Sequence, residues 1–385
     1  MHDLFEVREL VRPTDVEPSA EGHEVIGVLN PGSAQINGKT ALLLRVIEAH
    51  TKNEAYHAHF EKDAPLPEYV HLPRAQGHGV RWEKKRLGQD VEPNDSYSVK
   101  IPGLIEVVRP TVIAHARHAA LRTDAEDGWP RVESIADEGL YPQMPYEEFG
   151  IEDPRVTSLR EPIEVNGERF RYLVSYVACS GTWGVATAFA LSNDLRTFHR
   201  FPVDHPAPVF HPPQKDVVVF PRKLCNPQTG RPEHWAIIRP GAAHQYISPS
   251  MFLVASHELQ HWGQPLPVVS GTSEGHVGAG APPVETEAGW LLIYHGRITR
   301  NGGPQYEGWA ALLDAEEPWS SIRRSRQPML RPIDTGDENV IPNVAFPTGA
   351  HVTDDGTLEV FFGLNDAITA VARASLTKVL ARMKS

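Results

Sequence analysis

A turn that recurs along the chain limits the fold more than any other feature. Ser192-Asn193-Asp194-Leu195-Arg196-Thr197-Phe198 is matched by Ser256-His257-Glu258-Leu259-Gln260-His261-Trp262. Each copy follows an apolar run containing Ala and Phe. Asp127-Gly128-Trp129 stands earlier, and Leu313-Asp314 with Pro318-Trp319 later, at a period of roughly 60 to 70 residues. Short β-like runs lie between these turns, among them residues 171–177, 217–220, 235–238, 290–294 and 358–362. Helical periodicity is nearly absent; the best stretch, 376–383, is short. Many short strands broken by Gly and Pro indicate a sandwich, a barrel or a propeller. The repeat selects the last. A four-stranded blade commonly takes about 40–50 residues, so a longer period means blades with substantial loops. The expected fold is all-β, a five-bladed β-propeller in one domain over residues 26–385. Residues 1–25 are read as a polar N-terminal arm, poorly ordered unless docked.

One stretch breaks the pattern. Residues 51–95 carry His57, His59, His71 and His78 among many charges and prolines. A metal site needs a third close ligand at a fixed offset, which this spacing lacks. A polar insertion is the better reading. Such an excursion serves as a lid or an oligomer contact, which leaves room for a homo-oligomer.

Charge narrows the partners. The 385 residues include 37 Lys and Arg against 49 Asp and Glu, a net charge of −12. That argues against nucleic acid or an anionic membrane, though not against a small anion in a locally basic pocket. The two cysteines, Cys179 and Cys225, make no disulfide framework and read as small buried hydrophobes. The first residues lack a basic region followed by an apolar run, and no apolar stretch is long enough to span a bilayer. A cytoplasmic location is expected.

The chemistry centres on Glu152-Asp153-Pro154-Arg155. Pro154 should push Asp153 towards an extended conformation, in which neighbouring side chains diverge. One acid would then face a cavity and the other the structure. A general acid needs a carboxyl group that is protonated beside its leaving oxygen, and a neighbouring like charge raises a carboxyl pKa. Arg155 would oppose this if it paired with the same acid. Arg45, inside the apolar run 40–47, needs an anion if it is buried.

Further segments stand in a fixed order around these residues. They are Asn30-Pro31 with Arg45, Gly150 to Arg155, Lys215-Asp216 leading to Phe220-Pro221, and Arg239-Pro240. Ser256 to Gly263, Gly278 to Pro283, Trp290 to Gly296 and Ala310 to Asp314 follow. Pro342-Asn343-Val344 with Phe346-Pro347, and Phe362-Gly363 with Asp366, complete the set. Together they resemble glycoside hydrolase family 130, the mannoside phosphorylases and related mannosidases. The resemblance implies a five-bladed propeller with sugar bound at one end of its channel. It makes Asp153 the proton donor, in phosphorylases by relay through a hydroxyl of the bound mannosyl unit. It suggests mannose contacts at Asn30, Arg45 and Asp366. The structural alternatives are a turn residue for Asn30, an inter-blade ion pair for Arg45 and a hairpin residue for Asp366, the second weaker than the other two. Trp183, Trp290 and Tyr294 are further sugar platforms or core, and His276 lines the channel or is structural. Gly278 and Gly280 mark a tight turn where backbone approaches something closely.

The attacking group is less determined. Lys215 matches a phosphate ligand of the family, and Arg239 lies at its His-Arg pair. Arg200 is a looser third candidate. The His expected before Arg239 is Ile238, which cannot donate to phosphate and adds apolar surface. The reading leans to inverting phosphorolysis of a mannose-containing oligosaccharide, with inorganic phosphate as co-substrate and no metal or other cofactor. Hydrolysis would instead need a second carboxylate, sought first at Glu285 or Glu287. A propeller that only binds glycans or a protein is the rival outside enzymes. A proton donor beside an anion pocket argues against it.

Overall fold

The computed structural model describes residues 4–77, 79–103, 107–124, 126–203, 205–241, 249–271, 273–300, 303–320, 322–335 and 342–383. His78 lies outside them. The chain is mostly strand, as expected, with two short α-helices among the described residues. Among the described residues the main strands can be followed as five antiparallel sets of four, the first two of which run on as one eight-stranded sheet through the parallel pairing of Gly150 with Ala114. The first is His23–Ile36, Lys39–His50, Val112–Thr123 and Pro130–Leu140. The second is Gly150–Val165, Glu168–Ser180, Gly184–Ser192 and His199–Phe201. The third is Gln214–Val219, Arg231–Pro240, Ser250–Ser256 and Leu266–Ser270. The fourth is His276–Ala279, Gly289–Arg300, Gly303–Leu313 and Ile322–Arg324. The fifth is Ala345–Val352, Thr357–Leu364, Ile368–Ser375 and, from the other end of the chain, Glu6–Val11. The N-terminal segment is therefore no free arm. It supplies the fourth strand of the last unit.

Side-chain alternation explains why the middle strands are apolar throughout. In Arg231–Pro240, Trp235 and Ile237 pack into one cluster while Ala236 and Ile238 pack into another. A strand buried on both faces reads as a continuous apolar run. Five such clusters lie between consecutive units. The cluster with Leu43 and Val174 joins units one and two, and that with Phe189 and Ile238 joins two and three. Trp235 and Trp290 join three and four, and Leu291 and Phe362 join four and five. Val28 and Phe361 join five back to one. Val28 N–H also donates to Ala367 O at 2.8 Å across that last seam.

The recurrent turn sits between the third and fourth strand of its unit. Its acid holds the turn backbone: Asp194 accepts from Arg196 and Thr197 N–H, Glu258 from His261 N–H, and Asp314 from Glu316 and Glu317 N–H. Its aromatic residue closes the cluster shared with the preceding unit. Trp129, Phe198, Trp262 and Trp319 each pack against a different cluster. In the fifth unit the helix Leu376–Ala381 takes the turn's place, and Val379 and Met383 close the remaining cluster.

The insertion runs past residue 95. It comprises the helix Glu54–Lys62, the hairpin Tyr69–Gln76 with Gly79–Arg86, and the small sheet Glu92–Asp95, Ser98–Ile101 and Val107–Pro110. Tyr56, Val70, Leu72, Val91 and Val99 give it a core of its own. Its hairpin leans on the approach to the second unit: Ala75 N–H donates to Glu148 O at 2.8 Å, and Arg74 pairs with Glu148 at 2.6 Å. His57 is buried in this insertion and His71 stacks on His50 at 4.5 Å between ring centroids. Among the described residues no group of three or more His, Cys, Asp or Glu is placed to hold a metal, and no helix is long and apolar enough to cross a membrane.

Burial holds several imidazoles uncharged. It pushes His57, His115 and His234 each down to about 4. A base with a depressed folded pKa binds its proton more readily when unfolded, so stability falls as pH drops below the unfolded value of about 6.5. That loss ends near the folded values. Urea unfolding at a series of pH values should show the midpoint falling between pH 7 and pH 5; a midpoint that rises over that window would contradict the assignment.

Candidate active site

The polar residues of the site are turned inward by breaks in strand register. The leading strands of the first three units slip between Leu29 and Gly32, between Glu152 and Arg155, and between Lys215 and Val218. At each slip stands a short polar residue with left-handed backbone: Asn30 at φ 47°, Asp153 at 48° and Asp216 at 57°. Asn and Asp tolerate that region better than other non-glycine residues, and a bulge re-aims a side chain out of the ladder. Asp366, at φ 54°, does the same from the turn between the second and third strands of unit five.

Asp153 is thus not extended, despite the proline that follows it. The consequence is chemical. Its carboxyl and that of Glu152 do not diverge but meet one guanidinium: Arg45 donates from Nη1 to Asp153 Oδ1 and from Nη2 to Glu152 Oε1, both at 2.8 Å. Asn30 Nδ2 donates to the same Asp153 oxygen at 2.7 Å. Gly363 makes room for this contact, since a Cβ there would lie 1.9 Å from Asn30 Oδ1. Burial pushes the Asp153 carboxyl up, but Arg45, Arg155 and the Asn30 amide outweigh it and hold it below the usual carboxylate range. Asp366 goes the other way. Burial, with Asp153 and Glu152 adding to it against Arg45, raises it to about 6.

A cation cluster adjoins this wall. Arg239 sends Nε and Nη2 to Asp216 Oδ2 at 2.8 and 2.6 Å. Arg155 sends Nη2 to Asp216 Oδ1 at 2.9 Å, so its carboxylate partner is neither Glu152 nor Asp153. It reaches the acid another way, donating from Nη1 to the Asp153 main-chain oxygen at 3.0 Å. Lys215 precedes Asp216, and His295 Nε2 lies 3.7 Å from Asp216 Oδ2. Although burial opposes it, the two guanidiniums hold the Asp216 carboxyl far below its usual range. Burial pushes His295 down to about 3 and leaves it neutral. His276, half-buried, shares the field of Arg239 and Lys215 and is lowered by burial first and by those charges next.

Several expectations need correcting. Arg200 is committed elsewhere: its Nε and Nη2 donate to buried Glu147 at 2.7 and 3.0 Å, and Nη2 also to Tyr141 O. Ile238 does not intrude on the anion pocket, because strand alternation turns it into the core on the face opposite Arg239. Glu285 and Glu287 are exposed, and Glu285 pairs with Arg160 and with Arg222. Trp290 and Tyr294 are fully buried, Tyr294 with its hydroxyl donating to Glu274. Gly278 is not in a tight turn but in the strand His276–Ala279. The close approach is real, since a Cβ at Gly278 would lie 2.6 Å from Asp216 Oδ2. Cys179 is half-buried and Cys225 exposed. The residues that sequence reasoning missed are Asp216 and His295. Both lie in segments that carried the family resemblance, and the mark of Asp216 was its place beside Lys215.

Comparison with known proteins identifies the family. A family profile described as β-1,4-mannooligosaccharide phosphorylase, glycoside hydrolase family 130, matches residues 122–385. A β-1,2-mannobiose phosphorylase from Listeria innocua is 28% identical over 99% of this chain and 98% of its own. A 1,2-β-oligomannan phosphorylase from a Thermoanaerobacter species is 30% identical over 58% of this chain and 67% of its own. The solved structure of the β-1,2-mannobiose phosphorylase from Listeria innocua, in complex with β-1,2-mannobiose, superposes with a TM-score of 0.75 at 27% identity over 97% of both chains. Asn30 and Arg45 precede the profile match but fall within these full-length likenesses. With most of the chain matched and the same ordered segments building the site, the chain belongs to glycoside hydrolase family 130.

Proposed function

We propose that the protein is an inverting β-mannoside phosphorylase that cleaves β-1,2-linked mannobiose with inorganic phosphate, releasing mannose and α-mannose 1-phosphate. One observation carries the reading. Arg155 ties the main chain of Asp153 to Asp216, and Asp216 to Arg239, so an acid and an anion pocket share one frame. The linkage follows the Listeria innocua relative matched over nearly its whole length, a β-1,2-mannobiose phosphorylase. The five units, and the clusters that join each to the next and the last to the first, favour a five-bladed β-propeller. In that reading residues 26–385 are one catalytic domain, completed by Glu6–Val11.

In the reaction a phosphate oxygen attacks the anomeric carbon from the face opposite the leaving oxygen. The new C1–O bond forms as the glycosidic C1–O bond breaks, and the leaving oxygen takes one proton. Asp153 supplies it, relayed through a mannosyl hydroxyl as the family resemblance implies. Arg45, Asn30 and Asp366 hold the sugar. Lys215 and Arg239 hold phosphate, where exclusion of water strengthens each charge-assisted bond. The hydrolytic alternative loses support, because the carboxylates it would use, Glu285 and Glu287, are exposed.

Cleavage of β-1,2-mannobiose should rise and saturate with phosphate and yield mannose 1-phosphate, with β-1,4-mannobiose cleaved more slowly. Asp153→Asn should keep the fold and lose about 10²-fold or more of turnover, and Lys215→Ala should raise KM for phosphate. Free mannose as the sole product, at a rate indifferent to phosphate, would reject the reading.

Asp366 lies in the field of Asp153, Glu152 and Arg45, and burial, with the two acids adding to it against Arg45, raises it to about 6. General acid catalysis needs a proton in the cluster. The value kcat/KM should therefore fall as pH rises past about 6, on a limb that Asp366→Asn displaces. Phosphate's own ionisation is common to both proteins and cancels in the comparison. An identical limb in the variant would remove Asp366 from the proton inventory.

A further inference from the structure

We propose that Asp216 is a positioning residue for phosphorolysis: a carboxylate that meets no substrate but clamps the phosphate-binding guanidinium of Arg239 and the main chain of the proton donor into one frame. The inference rests on the phosphorolytic reading above. Asp216 is 1% exposed, and both its oxygens are taken by protein. Two donors of Arg239 converge on Oδ2, which fixes the plane of the guanidinium and leaves Nη1 as its remaining edge. Arg155, equally buried, is consumed by protein: Nε donates to Gly280 O at 2.9 Å, Nη1 to Asp153 O at 3.0 Å, and Nη2 to Asp216 Oδ1 and to Ala279 O. It has no edge left for an anion. The path Arg239, Asp216, Arg155, Asp153 therefore runs from unit three to unit two with every link a hydrogen bond, and Arg155 braces it on the main-chain oxygens of Ala279 and Gly280 at unit four.

An anion at the heart of an anion pocket must repel phosphate. Its presence makes sense only as orientation. A free arginine side chain has many rotamers to lose on binding, and donors fixed beforehand need no reorganisation when charge develops in the transition state. Asp216 thus trades ground-state phosphate affinity for alignment. The bulge at Asp153 is its second load, since the oxygen that Arg155 holds belongs to the residue whose backbone is left-handed. Gly278 belongs to the same device. Any side chain there would drive into Asp216 Oδ2 and the His295 ring.

This predicts a kinetic signature opposite to that of a phosphate ligand. Phosphorolysis by the full chain should be measured for Asp216→Asn with phosphate varied, beside thermal unfolding. The expected result is a kcat lowered by about 10²-fold, the scale of a misplacement of about 1 Å, with KM for phosphate unchanged or lower. A KM that rises while kcat holds, or a kcat that does not change, overturns the proposal. If loss of the buried charge prevents folding, Gly278→Ala carries the test, because it displaces the carboxylate and keeps its charge. Folded Gly278→Ala should show the same fall in kcat; full turnover in it overturns the proposal. A parent enzyme indifferent to phosphate overturns the phosphorolytic reading and this inference together. A phosphate-dependent parent with an unaffected variant overturns this inference alone.

Discussion

The buried pair Arg155–Asp216 is the constraint on which the rest of the site depends. Both side chains are 1% exposed. Removing one partner of such a pair typically costs about 3–5 kcal/mol, because the other is left charged and unpaired. A pair with good geometry is still no better for stability than well-packed apolar groups. Its value here is directional. Arg155 starts on the second unit, bonds the main chain of the fourth through Gly280 O and Ala279 O, and meets the third through Asp216. Three sheets converge on one guanidinium, and the leading strands cannot shift independently.

The packing around this point follows a single device used five times. Each seam between units is an apolar cluster, and each is closed from outside by a residue beyond a third strand. Four of the closing groups are aromatic and carried by a turn with a self-bonded acid or Ser. The fifth is the short helix Leu376–Ala381, and the outer strand of that unit is Glu6–Val11. Closing every seam apolar leaves the ends of the leading strands free to carry polar groups. That separation of roles, stability at the seams and chemistry at the bulges, lets a cluster of buried charges persist.

Within the site, two charge patterns stand side by side. Around Arg45 stand Asp153 and Glu152, and burial, with those two acids adding to it, raises nearby Asp366 to about 6. Around Asp216 two arginines share one anion, with Lys215 beside them, so the balance is positive. The first suits a reaction that must deliver a proton and the second a reaction that takes up an anion. Neither pattern is a property of any single residue type, and the same acid would titrate differently in the other half.

The mostly β architecture was legible from the sequence because it depends on local facts: short apolar runs, turn residues, and a turn motif whose Ser and acid bond their own backbone. The family was legible for a related reason, since its segments are contiguous and kept in order. Asp153, Lys215 and Arg239 could be named from those segments alone. What they touch could not. A left-handed Asp153 before a proline contradicts the local preference, and the bulge that stabilises it exists only once the strand is paired with its neighbour in register. The partner of Arg155 lies 61 positions away in another unit, so proximity in sequence pointed to the wrong carboxylates. Arg200 and Glu285 carried suitable charge, but tertiary pairing had already spent it on Glu147 and on Arg160 and Arg222. Sequence determines which charges are available; only the folded chain, by deciding which of them neutralise one another, leaves the few that can do chemistry.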